Sequence, residues 1–161
     1  MGPEIIAIII SVISAVIAAV STIFARKTYL QLKEKEKFER YLLFVKEFES
    51  AEMFSAYNRL YSLEEPVEET YNANVKTEKI PGPLPVPETL PFQRRIVAHF
   101  FHRMYIALVS DLLPETLTYK FWADIPKVIG ILEAIGQDTG KHLPELRLKV
   151  ENYNSRDIHI T

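Results

Sequence analysis

The chain of 161 residues contains no cysteine and only 5 glycines. Without thiols it has no disulfide scaffold, no thiolate zinc site and no cysteine nucleophile. Charge of one sign is not in excess either, because 19 basic and 21 acidic side chains leave a formal net charge of −2. Proteins that bind nucleic acid usually carry a strongly basic domain, so we expect no nucleic-acid partner.

Sequence motifs of common enzymes are missing as well. There is no G-x-S-x-G elbow, no dinucleotide-binding fingerprint and no EF-hand loop. The stretch from Gly136 to Lys141 is one residue short of a phosphate-binding loop, and His142 stands where that loop has Ser or Thr. We therefore expect neither a catalytic site nor a cofactor. His99 and His102, three residues apart, keep open the less favoured alternative of a metal-dependent hydrolase.

What the chain does have is one long hydrophobic run. The 21 residues from Ile5 to Ala25 carry no charged side chain. As a helix they span roughly 30 Å, the thickness of a bilayer's hydrocarbon core. A cleaved signal peptide is the alternative, but the first four residues include Glu4 and no basic side chain, whereas signal peptides begin with a basic region. Residues 1–25 are therefore predicted to be a transmembrane anchor.

Basic residues flank this run on one side only. Seven lie between Arg26 and Lys46, and none precedes Ile5. Because positive flanks stay in the cytoplasm, we expect a single-pass protein of the cell (inner) membrane with its N-terminus outside and its C-terminal part cytoplasmic. The absence of cysteine and of Asn-x-Ser/Thr sequons agrees with that compartment.

Small side chains recur along one face of the predicted anchor. Such faces let helices approach closely in lipid. Besides the bilayer itself, the expected partner is another membrane or cytoplasmic protein, or a second copy in a homo-oligomer. The predicted packing face consists of Ala7, Ser11, Ala15 and Ala19, with a neighbouring track of Ser14, Ala18 and Thr22.

The rest of the chain is predicted to be helical. Residues 26–49 are rich in helix-forming side chains and form a juxtamembrane helix, whose later half packs on the domain that follows. Residues 50–161 are predicted to form a cytoplasmic helical domain, in which Ser50 caps the first helix. The predicted fold class is thus all-α: one transmembrane helix and a small helical bundle.

Glutamate and proline concentrate in residues 64–91, which we interpret as a Pro/Glu-rich loop. Within it, the alternating prolines of Ile80 to Pro87 impose an extended path, predicted to lie as a strap on the bundle. A recognition peptide is the alternative, although no two of these prolines have the PxxP spacing.

Three further segments complete the predicted domain. Residues 92–113 have the apolar spacing of a helix, and residues 117–135 keep one helical phase across Pro126, which predicts a kinked helix recapped by Asp124 and ended by Gly136. From Lys141 onward, alternating apolar and charged residues suggest a short strand or an extended arm.

One basic cluster suggests a second function. Arg94, Arg95, His99 and Arg103 fall within ten residues of the long helix and are candidates for contacting an anionic ligand or a lipid phosphate. A solvated polar face is the alternative.

The overall plan resembles short single-pass bacterial membrane proteins classed as a domain of unknown function. The resemblance rests on the apolar span, the basic helix after it, Ser50 to Met53 opening a helix, and Leu113 to Glu115 preceding Phe121 and Trp122. It implies a membrane anchor with a helical domain and carries over no catalytic residue. The expected function is that of an accessory or scaffold subunit, with an anion-binding sensor or effector as the alternative.

Overall fold

The computed structural model describes residues 2–78, 89–136 and 140–157. These residues form seven helices and no strand, so the predicted all-α class is confirmed for this part of the chain. The helices are α1 (Pro3–Phe48), α2 (Ala51–Tyr61), α3 (Val67–Thr77), α4 (Leu90–Val109), α5 (Glu115–Phe121), α6 (Ile125–Ala134) and α7 (His142–Asp157).

Helix α1 is a single element of 46 residues. Its only proline, Pro3, lies in the first turn, where a missing N–H group removes no hydrogen bond, and no glycine follows within the helix. At 1.5 Å per residue it is about 70 Å long. The anchor predicted to end at residue 25 and the juxtamembrane helix predicted over 26–49 are therefore two parts of one helix.

The N-terminal half of α1 exposes its large apolar side chains. Ile8, Ile17, Ile23 and Phe24 each leave more than half of their surface uncovered. The helix is long and apolar enough to cross a membrane, and none of its apolar window is buried against the protein. Since exposed aliphatic surface of this extent is unfavourable in water, the observation agrees with the predicted span.

The hydrophobic core lies among the shorter helices, with α2, α4, α6 and α7 contributing most of its side chains. We call helices α2–α7 together the α2–α7 core. Phe100 and Phe101 of α4 and Leu132 of α6 are fully buried at its centre. The last two turns of α1 pack against this core through the half-buried side chains of Tyr41, Phe44, Val45 and Phe48.

Two predicted helix ends are confirmed. The Ser50 hydroxyl accepts a hydrogen bond from the backbone N–H of Met53 at 3.3 Å, so Ser50 caps α2. Gly136 follows α6 with a φ of +67°, the left-handed conformation that glycine adopts without strain.

The loop predicted over residues 64–91 is wrong for its first half, which contains α3. Glu68 and Glu69 lie in the first turn, where carboxylates interact favourably with the helix dipole. Val67 and Tyr71 are buried against the core and fix the helix there. The predicted strap, Ile80 to Pro87, lies outside the described residues.

A single kinked helix over residues 117–135 is also wrong. The chain leaves helical geometry between Phe121 and Ile125, forming α5 and α6. The break turns Trp122 into the core, where 3% of its surface stays exposed. Asp124 precedes α6 as predicted, but its side chain makes no capping hydrogen bond.

The C-terminal segment is helix α7, not a strand or an extended arm. Leu143, Leu146 and Val150 are buried at spacings of three and four residues, whereas Leu148 points outward. The apolar residues that pack on the core thus have helical spacing, although apolar and charged residues alternate in the sequence. Helix α4 also begins two residues earlier and ends four residues earlier than the predicted range of 92–113.

Candidate functional site

The contact between α1 and the α2–α7 core is aromatic. The Phe44 ring lies 5.7 Å from the Phe100 ring, and the Phe48 ring lies at the same distance from Phe100. Trp122 meets Phe48 edge to face at 6.0 Å between centroids and Tyr41 at 5.9 Å. Because ring pairs in these geometries add to the burial of apolar area, this cluster fixes the core to the helix.

A charged clamp continues the same contact toward the N-terminus of α1. Asp111 accepts hydrogen bonds from the ammonium groups of Lys33 and Lys37, each at 2.6 Å. These bonds lower the pKa of the Asp111 carboxyl from its ordinary value of 3.8 to about 2. Asp111 has a φ of 55°, so the chain turns sharply there after α4.

The predicted packing face of the span is exposed along its described length. The exposed residues are Ser11, Ser14, Ala15, Ala18, Ala19 and Thr22. The Thr22 hydroxyl donates to the Ala18 carbonyl at 2.8 Å, which satisfies its polar group within the helix. The side chain of Ala7 lies outside the described residues.

Three of the four predicted anion contacts lie together. Arg95, His99 and Arg103 follow one another at intervals of four residues, so they share one exposed face of α4. With Phe92 and Ile96 they line an open groove of about 530 Å³. Glu47 of α1 forms the opposite wall and an ion pair with Arg103.

Arg94 does not join that group. Its guanidinium lies 5.5 Å from the centre of the Tyr71 ring, and one of its Nη atoms donates to the Ile135 carbonyl at 3.5 Å. Both contacts draw the side chain between α3 and the end of α6. Arg94 therefore does not line the groove of Arg95, His99 and Arg103, and its predicted anion contact stays a prediction.

The prediction did not include a cluster at the start of α7. His102 and His142 face each other with their ring centroids 4.6 Å apart, and Tyr105 stacks on His142 at 4.9 Å. The Tyr105 hydroxyl donates to Glu145, and this hydrogen bond raises the pKa of the phenol. The segment after Lys141 is predicted from the sequence to be a strand or an extended arm, which does not bring His142 to α4. The cluster was missed for that reason.

A second missed contact lies at the start of α4. One carboxylate oxygen of Glu78 accepts a hydrogen bond from the Leu90 backbone N–H at 2.9 Å, and the other pairs with Arg59. Arg59 also donates to Gln93 at 3.2 Å. Glu78 thus supplies the cap that the Thr89 side chain does not provide.

Metal-binding geometry is absent from residues 2–78, 89–136 and 140–157. No three His, Asp or Glu side chains of this part converge on a point where an ion could be held. His99 is exposed and separate, while His102 turns toward His142. The two histidines of the hydrolase alternative do not share a site.

Comparison with known proteins adds no relative. No protein-family model, no curated protein and no solved structure matches this chain.

Proposed function

We propose that this protein is a single-pass membrane subunit that acts as an accessory or scaffold component, with its N-terminus outside and the α2–α7 core in the cytoplasm. One observation carries the proposal. The uncovered apolar half of α1 and the half packed on the core belong to one continuous helix. A soluble protein would have to cover that apolar half.

Contacts between helices are the proposed mode of action. The small side chains on one face of the span let a partner helix approach closely, and Thr22 leaves no unsatisfied hydroxyl toward it. The bulky side chains of Ile9, Ile13 and Val16 cover the opposite side and suit lipid tails. The partner is another membrane subunit or a second copy of this chain.

Anchoring and orientation are tested first. Full-length protein in bacterial membranes should resist extraction at alkaline pH. Because the chain has no cysteine, Gly2→Cys and Phe54→Cys each introduce the only thiol. An impermeant maleimide applied to intact cells should label position 2 and not position 54. Extraction of the protein, or labelling at position 54 alone, would overturn this part of the proposal.

The packing face is tested by oxidative cross-linking in membranes. Ala15→Cys places a thiol on the face of small side chains, and Ile13→Cys places one nearly opposite. We expect cross-linked species for position 15 and none for position 13. Coexpression of two differently tagged copies distinguishes a homo-oligomer from a heterologous partner. A monomer at both positions would overturn a homo-oligomer that packs through this face.

The groove of Arg95, His99 and Arg103 supports a second candidate function, recognition of an anionic ligand. The supporting observation is that two guanidinium groups and an imidazole line one groove with the apolar side chains of Phe92 and Ile96. Arg103 already has a carboxylate partner in Glu47, so an anion would exchange with that carboxylate or add to Arg95.

This candidate is tested by thermal melting of the full chain in mild detergent with orthophosphate, citrate or a short acidic peptide. Stabilisation that disappears in Arg95→Ala but persists in Lys120→Ala, an exposed cation away from the groove, supports it. Equal stabilisation of both variants contradicts it.

A further inference from the structure

Two openings lie end to end between α1 and α4. The groove that Arg95 lines, here called the Arg95 groove, shares Glu47 and Arg103 with a second opening of about 260 Å³. The second opening is otherwise lined by Arg40, Leu43, Phe44, Ala107 and Leu112. We call the two openings together the α1–α4 cleft. Along α4 the cleft extends from Phe92 to Ala107, which is about 22 Å or four helical turns.

The walls of the cleft are basic. Arg95, His99 and Arg103 are exposed on α4, and Arg40 is exposed on α1. Among the described residues that line the cleft, Glu47 is the only acid, and it pairs with Arg103. Since exposed ion pairs contribute little to stability, an incoming carboxylate can replace Glu47 at little cost. A ligand with several carboxylates therefore complements the cleft.

Apolar side chains lie between these cations. Phe92 and Ile96 line the Arg95 groove, and Leu43, with 65% of its surface exposed, lines the second opening. Exposed aliphatic surface is unfavourable in water, so a ligand that covers it gains free energy. A small inorganic anion would leave these side chains uncovered. A ligand that has both carboxylates and apolar side chains fits the cleft better.

The cleft lies beyond the reach of lipid headgroups. Arg40 is 15 residues past Ala25 and Glu47 is 22 residues past it, which correspond to about 22 and 33 Å along α1. The polar layer on each side of a bilayer is about 5–8 Å thick. With the anchor ending at Ala25 as proposed, a lipid phosphate does not reach the cleft. Carboxylates together with apolar side chains are instead the chemistry of an acidic protein segment.

The cleft also faces the same direction as the small side chains of the span. An α-helix returns to the same direction after 18 residues, which are five turns. Thr22 and Arg40 are 18 residues apart. Ser11 and Glu47 are 36 residues apart, so each pair lies on one face of the continuous helix α1. A partner helix that packs on the span is thus directed toward the cleft where it leaves the membrane. Because a single chain crosses a bilayer as a helix, this direction favours a continuing helix as the segment in the cleft.

We propose that the α1–α4 cleft binds an acidic amphipathic helix of another protein. The inference rests on the proposed recognition of an anion at the Arg95 groove, and on the proposed span for the helical form of the ligand. Carboxylates four residues apart on the bound helix match the spacing of Arg95, His99 and Arg103, which is about 6 Å along α4. Apolar side chains beside those carboxylates cover Leu43 and Ile96.

A second copy of α1 is a poorer ligand for the cleft. The stretch from Arg26 to Lys46 contains seven basic and three acidic side chains. Its approach would bring like charge to the basic walls, which is unfavourable. The partner in the cleft is therefore a different chain.

The experiment measures binding of a designed peptide to the full chain in phosphatidylcholine nanodiscs. The peptide has about 18 residues, five helical turns, with glutamates four residues apart on one face and leucines beside them. In one control peptide glutamine replaces every glutamate, and in the other a central proline breaks the helix. Fluorescence anisotropy of a label on the peptide reports binding, and empty nanodiscs correct for binding to lipid.

Matched variants locate the binding site. Arg95→Glu and Leu43→Asp each place a carboxylate in the cleft, and we expect the affinity for the acidic peptide to fall about tenfold or more in either variant. Lys120→Glu reverses an exposed charge away from the cleft, and Leu42→Asp alters the exposed neighbour of Leu43 outside it. Both of these controls should keep the wild-type affinity. Emission of Trp122, the only tryptophan, reports whether each variant keeps its core.

Binding that requires the glutamates and the helix of the peptide, and Arg95 of the protein, supports the proposal. The proposal is wrong if the acidic peptide does not bind, if either control peptide binds as tightly, or if Arg95→Glu and Lys120→Glu behave alike. Disulfide cross-linking of Leu43→Cys between two copies in membranes would place a second copy in the cleft and would also overturn it.

Citrate separates this proposal from the anion-binding candidate. If citrate stabilises the protein through Arg95 but the peptide does not bind, the anion-binding candidate stands and the helix proposal is wrong. If neither citrate nor the peptide depends on Arg95, both are wrong.

Discussion

The Nδ1 atoms of His102 in α4 and His142 at the start of α7 lie 3.2 Å apart, at hydrogen-bonding distance. Such a bond needs one nitrogen as donor and the other as acceptor, so at least one of the two rings is neutral. The contact joins the middle of α4 to the first turn of α7.

We therefore predict that His142 helps to hold α7 against α4. His142→Asn should cost about 1 kcal/mol of the free energy of unfolding, because it removes this hydrogen bond and the stacking on Tyr105. Thermal melting in mild detergent measures the change, and the exposed His99→Asn is the control. Equal melting temperatures for the two variants would contradict the prediction.

The Asp111 carboxylate should stabilise the folded protein at neutral pH and lose this effect in acid. Its lowered pKa, caused first by Lys33 and then by Lys37, means that the folded state favours the carboxylate. The contribution is complete above about pH 4 and is lost as pH falls toward about 2. Asp111→Asn retains a residue that tolerates a positive φ and removes the charge.

Accordingly, Asp111→Asn should melt below the wild type at pH 6, and the difference should shrink as the pH approaches 2. Glu36→Gln, which removes an exposed acid of α1, serves as the control. A difference independent of pH would mean that the clamp does not depend on charge.

The buried phenol of Tyr57 should make the folded protein less stable at alkaline pH. Burial between Phe48 and Phe101 raises the pKa of its phenol, and the charge of Asp124 raises it further. The folded state thus favours the protonated form, and stability is lost as pH rises above the ordinary value of about 10. Tyr57→Phe should reduce the drop in melting temperature between pH 8 and pH 11, whereas the exposed Tyr29→Phe should leave it unchanged.

The docking of α1 should depend on Phe100. This side chain is fully buried and contacts Phe44, Phe48 and Trp122. Phe100→Ala should cost about 3–5 kcal/mol, the usual range for a large buried aromatic. Phe54→Ala, at an exposed position, should change the free energy of unfolding by less than about 0.5 kcal/mol. Chemical unfolding followed by Trp122 emission measures both; similar costs would contradict the assigned core.

The Glu78 carboxylate should stabilise the start of α4. Glu78→Ala removes the acceptor for the Leu90 N–H group and should cost about 1–2 kcal/mol, as the loss of an N-cap does. Glu78→Gln keeps an acceptor oxygen but not the charge that pairs with Arg59, so its cost should be smaller. Melting temperatures that rise from Glu78→Ala to Glu78→Gln to the wild type would support this assignment. Glu69→Ala, in the first turn of α3, is the control.

Strong local signals made the first part of the fold predictable. An uncharged run as long as a bilayer is thick predicts an apolar helix whatever surrounds it. Ser50 and Gly136 mark helix ends because a capping hydroxyl and a left-handed glycine act within a few residues.

Segments whose structure depends on tertiary packing were not predictable in the same way. The acidic residues before Tyr71 suggest a loop, but burial of Val67 and Tyr71 against the core stabilises a helix there. Leu148 made the tail look alternating, although Leu143, Leu146 and Val150 carry the burial.

The candidate site was predictable only where helical spacing alone determines it. Arg95, His99 and Arg103 share a face because helical spacing alone puts them there. Arg94 is adjacent in sequence but turns toward Tyr71, a residue in the unpredicted α3. The partner of His102 was hidden by the wrong assignment of α7.

The continuity of α1 couples rotation to height. Each residue inserted between Ala25 and Lys33 would raise the α2–α7 core by about 1.5 Å and turn it by about 100° around the helix axis. One added residue would thus turn the Arg95 groove by about 100° relative to the small side chains between Ser11 and Thr22. Seven added residues would restore its direction to within about 20° while lifting it by about 10 Å. The number of residues in this segment therefore sets both the rotation of the core about the helix axis and its distance from the span.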